Sequence, residues 1–211
     1  IEGLEMTDSI ELALKRGWID AAHRGQFPDV ASSLAGSFGV VSMHHYLEHT
    51  RDVPAELDAA AVVLRPGGYL EIEMPNPESA LGRRLGRYWA PYLQPQHLNM
   101  VPLALMERML TERGFTVLER QLGEAHQSAD LAMAASLMAN HVLPPMDAPW
   151  IPQRPGRAAR IARPVLLATA YPFVAVALGI DLALAPVLGR HGSSNAYRLL
   201  ARYGPETPTP S

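Results

Sequence analysis

The chain has 211 residues, 48% of them hydrophobic and 18% charged, which is enough apolar material for a packed core and too little charge for a disordered chain. A net charge of −3 argues against a general nucleic-acid binder, which needs a basic face. No cysteine occurs, so disulfides and thiolate metal sites are excluded; no cleavable signal peptide opens the sequence, and a cytoplasmic protein is the expectation.

The sequence enters in a strand-like stretch, Ile1-Glu2-Gly3-Leu4-Glu5. Asp8 or Ser9 caps a helix that runs to about Arg16 and stops at Gly17. Residues 21–27 read as an edge-like strand. Phe38, Val40, Val41 and Met43 form a short apolar run suited to a buried strand. Asp52, Pro54 and Glu56 are helix-start signals, and Leu57, Ala60, Ala61 and Leu64 then recur at helical spacing. Pro66-Gly67-Gly68 stops that helix and turns the chain. Leu70, Ile72 and Met74 alternate with Tyr69, Glu71 and Glu73 as in a strand. Residues 37–76 are therefore a βαβ unit with parallel strands and a right-handed crossover. Pro102 opens an amphipathic helix with Leu103, Met106, Met109 and Leu110 inward; Gly114 ends it and a strand follows over 115–120. A helix is predicted over 131–142, a proline-rich linker over 144–155 and a last strand over 196–203.

The stretch SFGVVSMHHYLEH followed by LRPGGYLEIEMPNP resembles the fourth strand, next helix and fifth strand of class I S-adenosylmethionine-dependent methyltransferases. The similarity is greatest to the ubiquinone-biosynthesis-like branch. It continues through PQHLNM and LTERGFTVLER, covering roughly Gly3 to Arg120. The resemblance implies an α/β fold, a Rossmann-like doubly wound and mostly parallel sheet with an antiparallel last strand. It implies S-adenosylmethionine as cofactor and methyl transfer to a small apolar acceptor, by O- or C-methylation. No GxGxxG-like element occurs, so the family's first strand and glycine-rich loop are absent from these residues, and the chain reads as N-terminally incomplete. The expected organisation is a core over 1–125, a helical insertion or cap over 126–195, a last core strand over 196–203 and a mobile tail over 204–211.

The resemblance carries several residues into a cofactor site. Glu5, beside Met6, falls where the family places a ribose-binding acid; a solvated acid is the plain alternative. Gln26 and Phe27 fall at the adenine position, although an amide replaces the usual acid and Phe27 also suits a core. Ser42, Met43 and His44 fall where the family lines the rest of the cofactor, and Gly39 stands where aspartate is usual. His45, Glu48 and His49 are spaced to share a helical face, with His97 placed after the next strand. Three readings stay open for these histidines. His45, His49 or His97 acts as general base; or His45, Glu48, His49 and His97 hold a divalent ion; or Glu48 and His49 pin a helix start.

Residues 79–98 mix Arg83, Arg84, Arg87, Tyr88, Trp89 and Tyr92, at the place where ligands meet open α/β sheets. Asn76, Trp89 and Tyr92 are the substrate candidates, and a solvated arginine face is the alternative. Arg157, Arg160 and Arg163 precede an uncharged run from Pro164 to Ile180, followed at once by Asp181. Two short helices that bury Val165, Leu166, Val174 and Leu178 are expected there, with membrane contact peripheral at most. Partners are then a small-molecule acceptor and no nucleic acid. The competing reading is a degenerate domain without catalysis that binds a partner or a membrane surface.

Overall fold

A computed structural model describes residues 1–92, 96–122, 129–146, 154–188 and 194–204. In chain order the first elements are β1 (Glu2–Glu5), α1 (Ser9–Lys15), β2 (Ala21–Arg24), α2 (Phe27–Val30), β3 (Phe38–His44), α3 (Val53–Val63) and β4 (Leu64–Pro75). Then come α4 (Ala80–Leu85), α5 (Leu103–Glu112), β5 (Phe115–Gln121), α6 (Asp130–Val142), α7 (Arg157–Leu188) and β6 (Ala196–Tyr203). Described residues of 1–74, 101–121 and 198–211 form one compact unit, and those of 75–100 and 122–197 another.

The first unit is an α/β fold with a mixed sheet. β3 and β4 run parallel, β5 and β6 antiparallel, in the order β3-β4-β6-β5. β1 and β2 pair in parallel as a separate two-stranded sheet. Helix α1 joins them, and Gly3 lets it close on β1: an added Cβ would lie 2.8 Å from Ile10 Cδ1 and 3.1 Å from Ile19 Cδ1. Asp52 caps α3 by accepting from the Ala55 N–H at 3.0 Å. The alternation in β4 sends Leu70, Ile72 and Met74 into the core with Leu57 and Ala60 of α3, Met106 and Leu110 of α5, and Leu199 and Ala201 of β6, all fully buried. Each large side chain among them contributes about 1.5–3 kcal/mol. Gly114, at φ 80, turns the chain from α5 into β5 as its position predicts.

One local expectation is corrected. Pro66-Gly67-Gly68 does not precede the strand but lies inside β4, which begins at Leu64. The register passes from Phe38↔Leu64 to Val40↔Tyr69, so β4 advances five positions while β3 advances two. The surplus residues form a bulge, with Gly67 at φ 81.

The second unit is helical. Trp89 is fully buried, donates from Nε1 to Asp130 Oδ1 at 3.0 Å and stands edge-on to Tyr92 at 4.8 Å. Gly82 lies flat against it, with space for a Cβ only 2.8 Å from the indole. Helices α6 and α7 pack as an antiparallel hairpin. The Asp181 carboxylate accepts from the Leu131 and Ala132 N–H groups at 3.1 and 2.9 Å, while Arg163 donates to Asn140 Oδ1 and Pro144 O.

Here the sequence-based expectation fails twice. Residues 157–188 form one continuous helix, with Pro164, Pro172 and Pro186 inside it, instead of two short ones. A proline removes one hydrogen bond and bends a helix, and contact with α6 on both sides of Pro172 keeps this one going. Val165, Leu166 and Leu178 are exposed instead of buried, Val165 by 63%, and Val174 is half-buried. By length and composition α7 is able to cross a membrane.

Candidate functional site

In the first unit a cleft of about 730 Å³ opens between the edges of β1 and β3. That is the size of a small-molecule site. Ile1 to Leu4 line one wall, Val40 to His44 the other, with Phe27, His23, Tyr46 and Val63 closing it. Consecutive residues of one strand point to opposite faces. A cleft lined by unbroken runs on both sides therefore meets the strands at their hydrogen-bonding edges. The other edge of β1 is paired with β2 and that of β3 with β4.

Of the residues expected to bind cofactor, Phe27, Ser42, Met43 and His44 line this cleft. Glu5, Met6 and Gln26 are exposed and are not among its lining residues. Glu5 ends β1 and turns its carboxylate back onto the Met6 N–H at 2.8 Å. Tyr46, inside the cleft, donates to Glu56 Oε2 at 2.9 Å. Burial, followed by that bond to a carboxylate, pushes the phenol far up, and burial also raises Glu56.

At the carboxyl end of β3 the histidines sort themselves. His45, at φ 47, sets Nδ1 3.0 Å from Glu48 Oε1 and Nε2 3.0 Å from Glu73 Oε1. The bond to Glu48 is the main cause of a raised pKa; burial opposes it and Glu73 adds to it. Each ring nitrogen of His45 thus faces a carboxylate oxygen, an arrangement that favours the protonated ring. Glu73 in turn receives Arg198, whose Nε lies 2.9 Å from Oε2 and 3.3 Å from Glu71 Oε1. Burial pushes the Glu73 carboxyl up, but Arg198 and then His45 outweigh it and hold it below the usual carboxylate range. His44 Nδ1 stands 3.5 Å from the same Glu73 oxygen. Glu48 is fully buried, and its Oε2 has no hydrogen-bond partner among the described residues.

His49 is exposed at the end of a short turn over Leu47–His49. His97 belongs to the second unit, where Nδ1 faces Pro91 O at 2.7 Å. Of the expected metal set, His45, Glu48 and His49 belong to the first unit and His97 to the second. Asn76 is buried and engaged, giving Nδ2 to Ser194 O at 3.2 Å and accepting the Glu78 N–H at 3.0 Å. With Trp89 enclosed in packing, neither has a free surface for a substrate. Tyr92 is half-buried. Sequence reasoning missed Glu71, Glu73 and Arg198 as a charged group. The two glutamates were visible as strand alternation, but their arginine lies 125 positions from Glu73.

A family model described as a methyltransferase domain matches residues 2–120, more than half of the chain. The chain belongs to the methyltransferase-domain family. Solved structures agree on the fold of this methyltransferase domain. A SAM-dependent methyltransferase from Archaeoglobus fulgidus is 15% identical with a TM-score of 0.54, covering 95% of this chain and 75% of its own. A protein from Thermotoga maritima described as a possible histamine N-methyltransferase is 13% identical, TM-score 0.53, covering 95% and 72%. The [4+2]-cyclase SpnF is 16% identical, TM-score 0.52, covering 98% and 66%. At such identities the likeness is one of fold, and the cyclase shows that the fold is not tied to one reaction. No curated protein matches the chain significantly.

Proposed function

We propose that the first unit takes S-adenosylmethionine at the cleft between β1 and β3 and serves methyl transfer to a small apolar acceptor, on oxygen or carbon. The carboxyl end of the cleft carries this reading: the apolar wall of Phe27 and Met43 and the polar atoms of Ser42 and His44 suit a ligand with an aromatic end and polar arms. When bound, the cofactor supplies an activated methyl group. The protein's part is mainly to position the reactants. Glu5 would accept from ribose hydroxyls after releasing the Met6 N–H, Phe27 would meet the adenine face, and Ser42, Met43 and His44 would hold the remainder, with Met6 and Gln26 flanking. The charged group of His45, Glu48, Glu73 and Arg198 fixes the carboxyl end of β3 beside this wall.

His45, His49 and His97 remain the candidate bases, and Tyr92 the candidate substrate contact. Placement in the ubiquinone-biosynthesis-like branch rests on the quoted motifs, as does a cytoplasmic location on composition. The strand edges on both walls support an N-terminally incomplete reading, in which one more parallel strand pairs with β1 and β3 and leaves the ligand at its carboxyl end. The exposed Glu5, bonded to its own backbone, favours the alternative of a domain that has lost catalysis.

Calorimetric titration with S-adenosylmethionine tests the site. The chain should bind weakly and an upstream-extended form far more tightly. Loss of a charge-assisted hydrogen bond costs about 1.5–3 kcal/mol, so Glu5→Ala in the tighter form should weaken binding at least about tenfold. Equal affinity for both lengths, or no effect of the substitution, would remove the proposed cofactor site.

A further inference from the structure

Among the described residues, α7 carries a long run of exposed apolar side chains that the methyltransferase reading does not use. Its buried or half-buried positions Arg163, Leu167, Ala170, Val174, Ala177 and Asp181 recur every three or four residues, a single stripe. The two ends of the stripe, five turns apart, are the residues bonded to α6 or just beyond its end. Outside the stripe the helix stays apolar on both flanks. At 100° per residue Tyr171 and Leu178 fall on one side of it, and Phe173, Val176 and Ile180 on the other. Phe173 is 74% exposed, Val176 64% and Tyr171 63%. A globular partner would cover one flank; a lipid surface solvates both. No charged residue occurs from Pro164 to Ile180. Asp181, the first after that run, is sealed inside the hairpin by the backbone of α6.

Charge lies at one end. Arg154, Arg157 and Arg160 are exposed at or just before the start of α7, and Arg163 follows one turn on, with Asp147 the single acid in the sequence from residue 140 to 180. We propose that the α6–α7 hairpin docks on an anionic lipid surface. It lies in the interface with its apolar flanks among the acyl chains and its arginines on the headgroups. A crossing orientation fits less well. At 1.5 Å per residue the charge-free run is about 25 Å, short of a hydrocarbon core of roughly 30 Å. Tip-first insertion would also carry the arginines through the bilayer.

The test is flotation of the full chain with vesicles of phosphatidylcholine alone or mixed with phosphatidylglycerol. Binding should favour the anionic vesicles and weaken with salt. At about 1 kcal/mol for each arginine near the surface, Arg157→Gln with Arg160→Gln should weaken binding to the anionic vesicles roughly thirtyfold. Their binding to neutral vesicles should be unchanged. Phe173→Asp, at a position too exposed to disturb packing, should reduce binding to both vesicle types, with unfolding of the chain unaltered. Three results would overturn the proposal. One is wild-type binding without lipid preference, or none at all. Another is retention after alkaline carbonate, which marks integral insertion. The third is self-association in lipid-free buffer that Phe173→Asp abolishes, which would assign the face to a second copy of the chain.

Discussion

His45 is held at φ 47 with a carboxylate oxygen 3.0 Å from each ring nitrogen. Its raised pKa makes its contribution to stability complete below the unfolded value near 6.5 and lost as pH rises through the folded value. Glu73 works in the opposite sense: its lowered pKa gives a contribution present above the unfolded value of 4.5 and lost as pH falls through the folded one. Urea midpoints of the wild type should therefore fall as pH rises past 6.5, and His45→Ala should flatten that limb; parallel curves would refute the double anchoring. The substitution also strips the buried Glu48 of its bond to His45. Breaking a buried pair costs about 3–5 kcal/mol, and partial solvent access at His45 argues for the lower end. Motif spacing brought His45, Glu48 and His49 to notice but not the second carboxylate on His45. That carboxylate, Glu73, comes from a different strand, 28 positions on.

Helix α7 holds to α6 through Asp181, whose two oxygens satisfy backbone N–H groups in the first turn of α6. Those N–H groups have no partner within their own helix. Asp181→Ala should cost about 1–3 kcal/mol and speed hydrogen exchange at Leu131 and Ala132. Asp181→Asn, which keeps one accepting oxygen, should lose less. Unchanged exchange in the alanine variant would mean that the hairpin does not depend on this contact. At this scale the sequence was informative wherever the signal was local. Asp52 and Pro54 start α3, Gly114 ends α5, and alternation marks β4. It misled over 157–188 because an apolar run predicts that something covers it without saying what, and proline content alone cannot distinguish a bend from a break. The bulge at Pro66-Gly67-Gly68 escaped for a similar reason. Turn residues look alike between elements and inside a strand.

For the whole molecule, membership in the methyltransferase-domain family was legible because βαβ order and motif order are both written along the chain. The cleft was not, since its walls belong to two separate sheets whose pairing depends on contacts between distant residues. Its core is ordinary: Leu57→Ala, at a fully buried position under β4, should cost about 2–5 kcal/mol of stability. It should not alter the residues that line the ligand wall. The most direct check on the cofactor site is to titrate S-adenosylmethionine into labelled protein and follow backbone amide resonances, which report even weak binding. Saturable shifts should concentrate at Glu5, Phe27, Ser42, Met43 and His44. Shifts that never saturate, or that fall chiefly within residues 75–100 and 130–188, would contradict a cofactor site between β1 and β3.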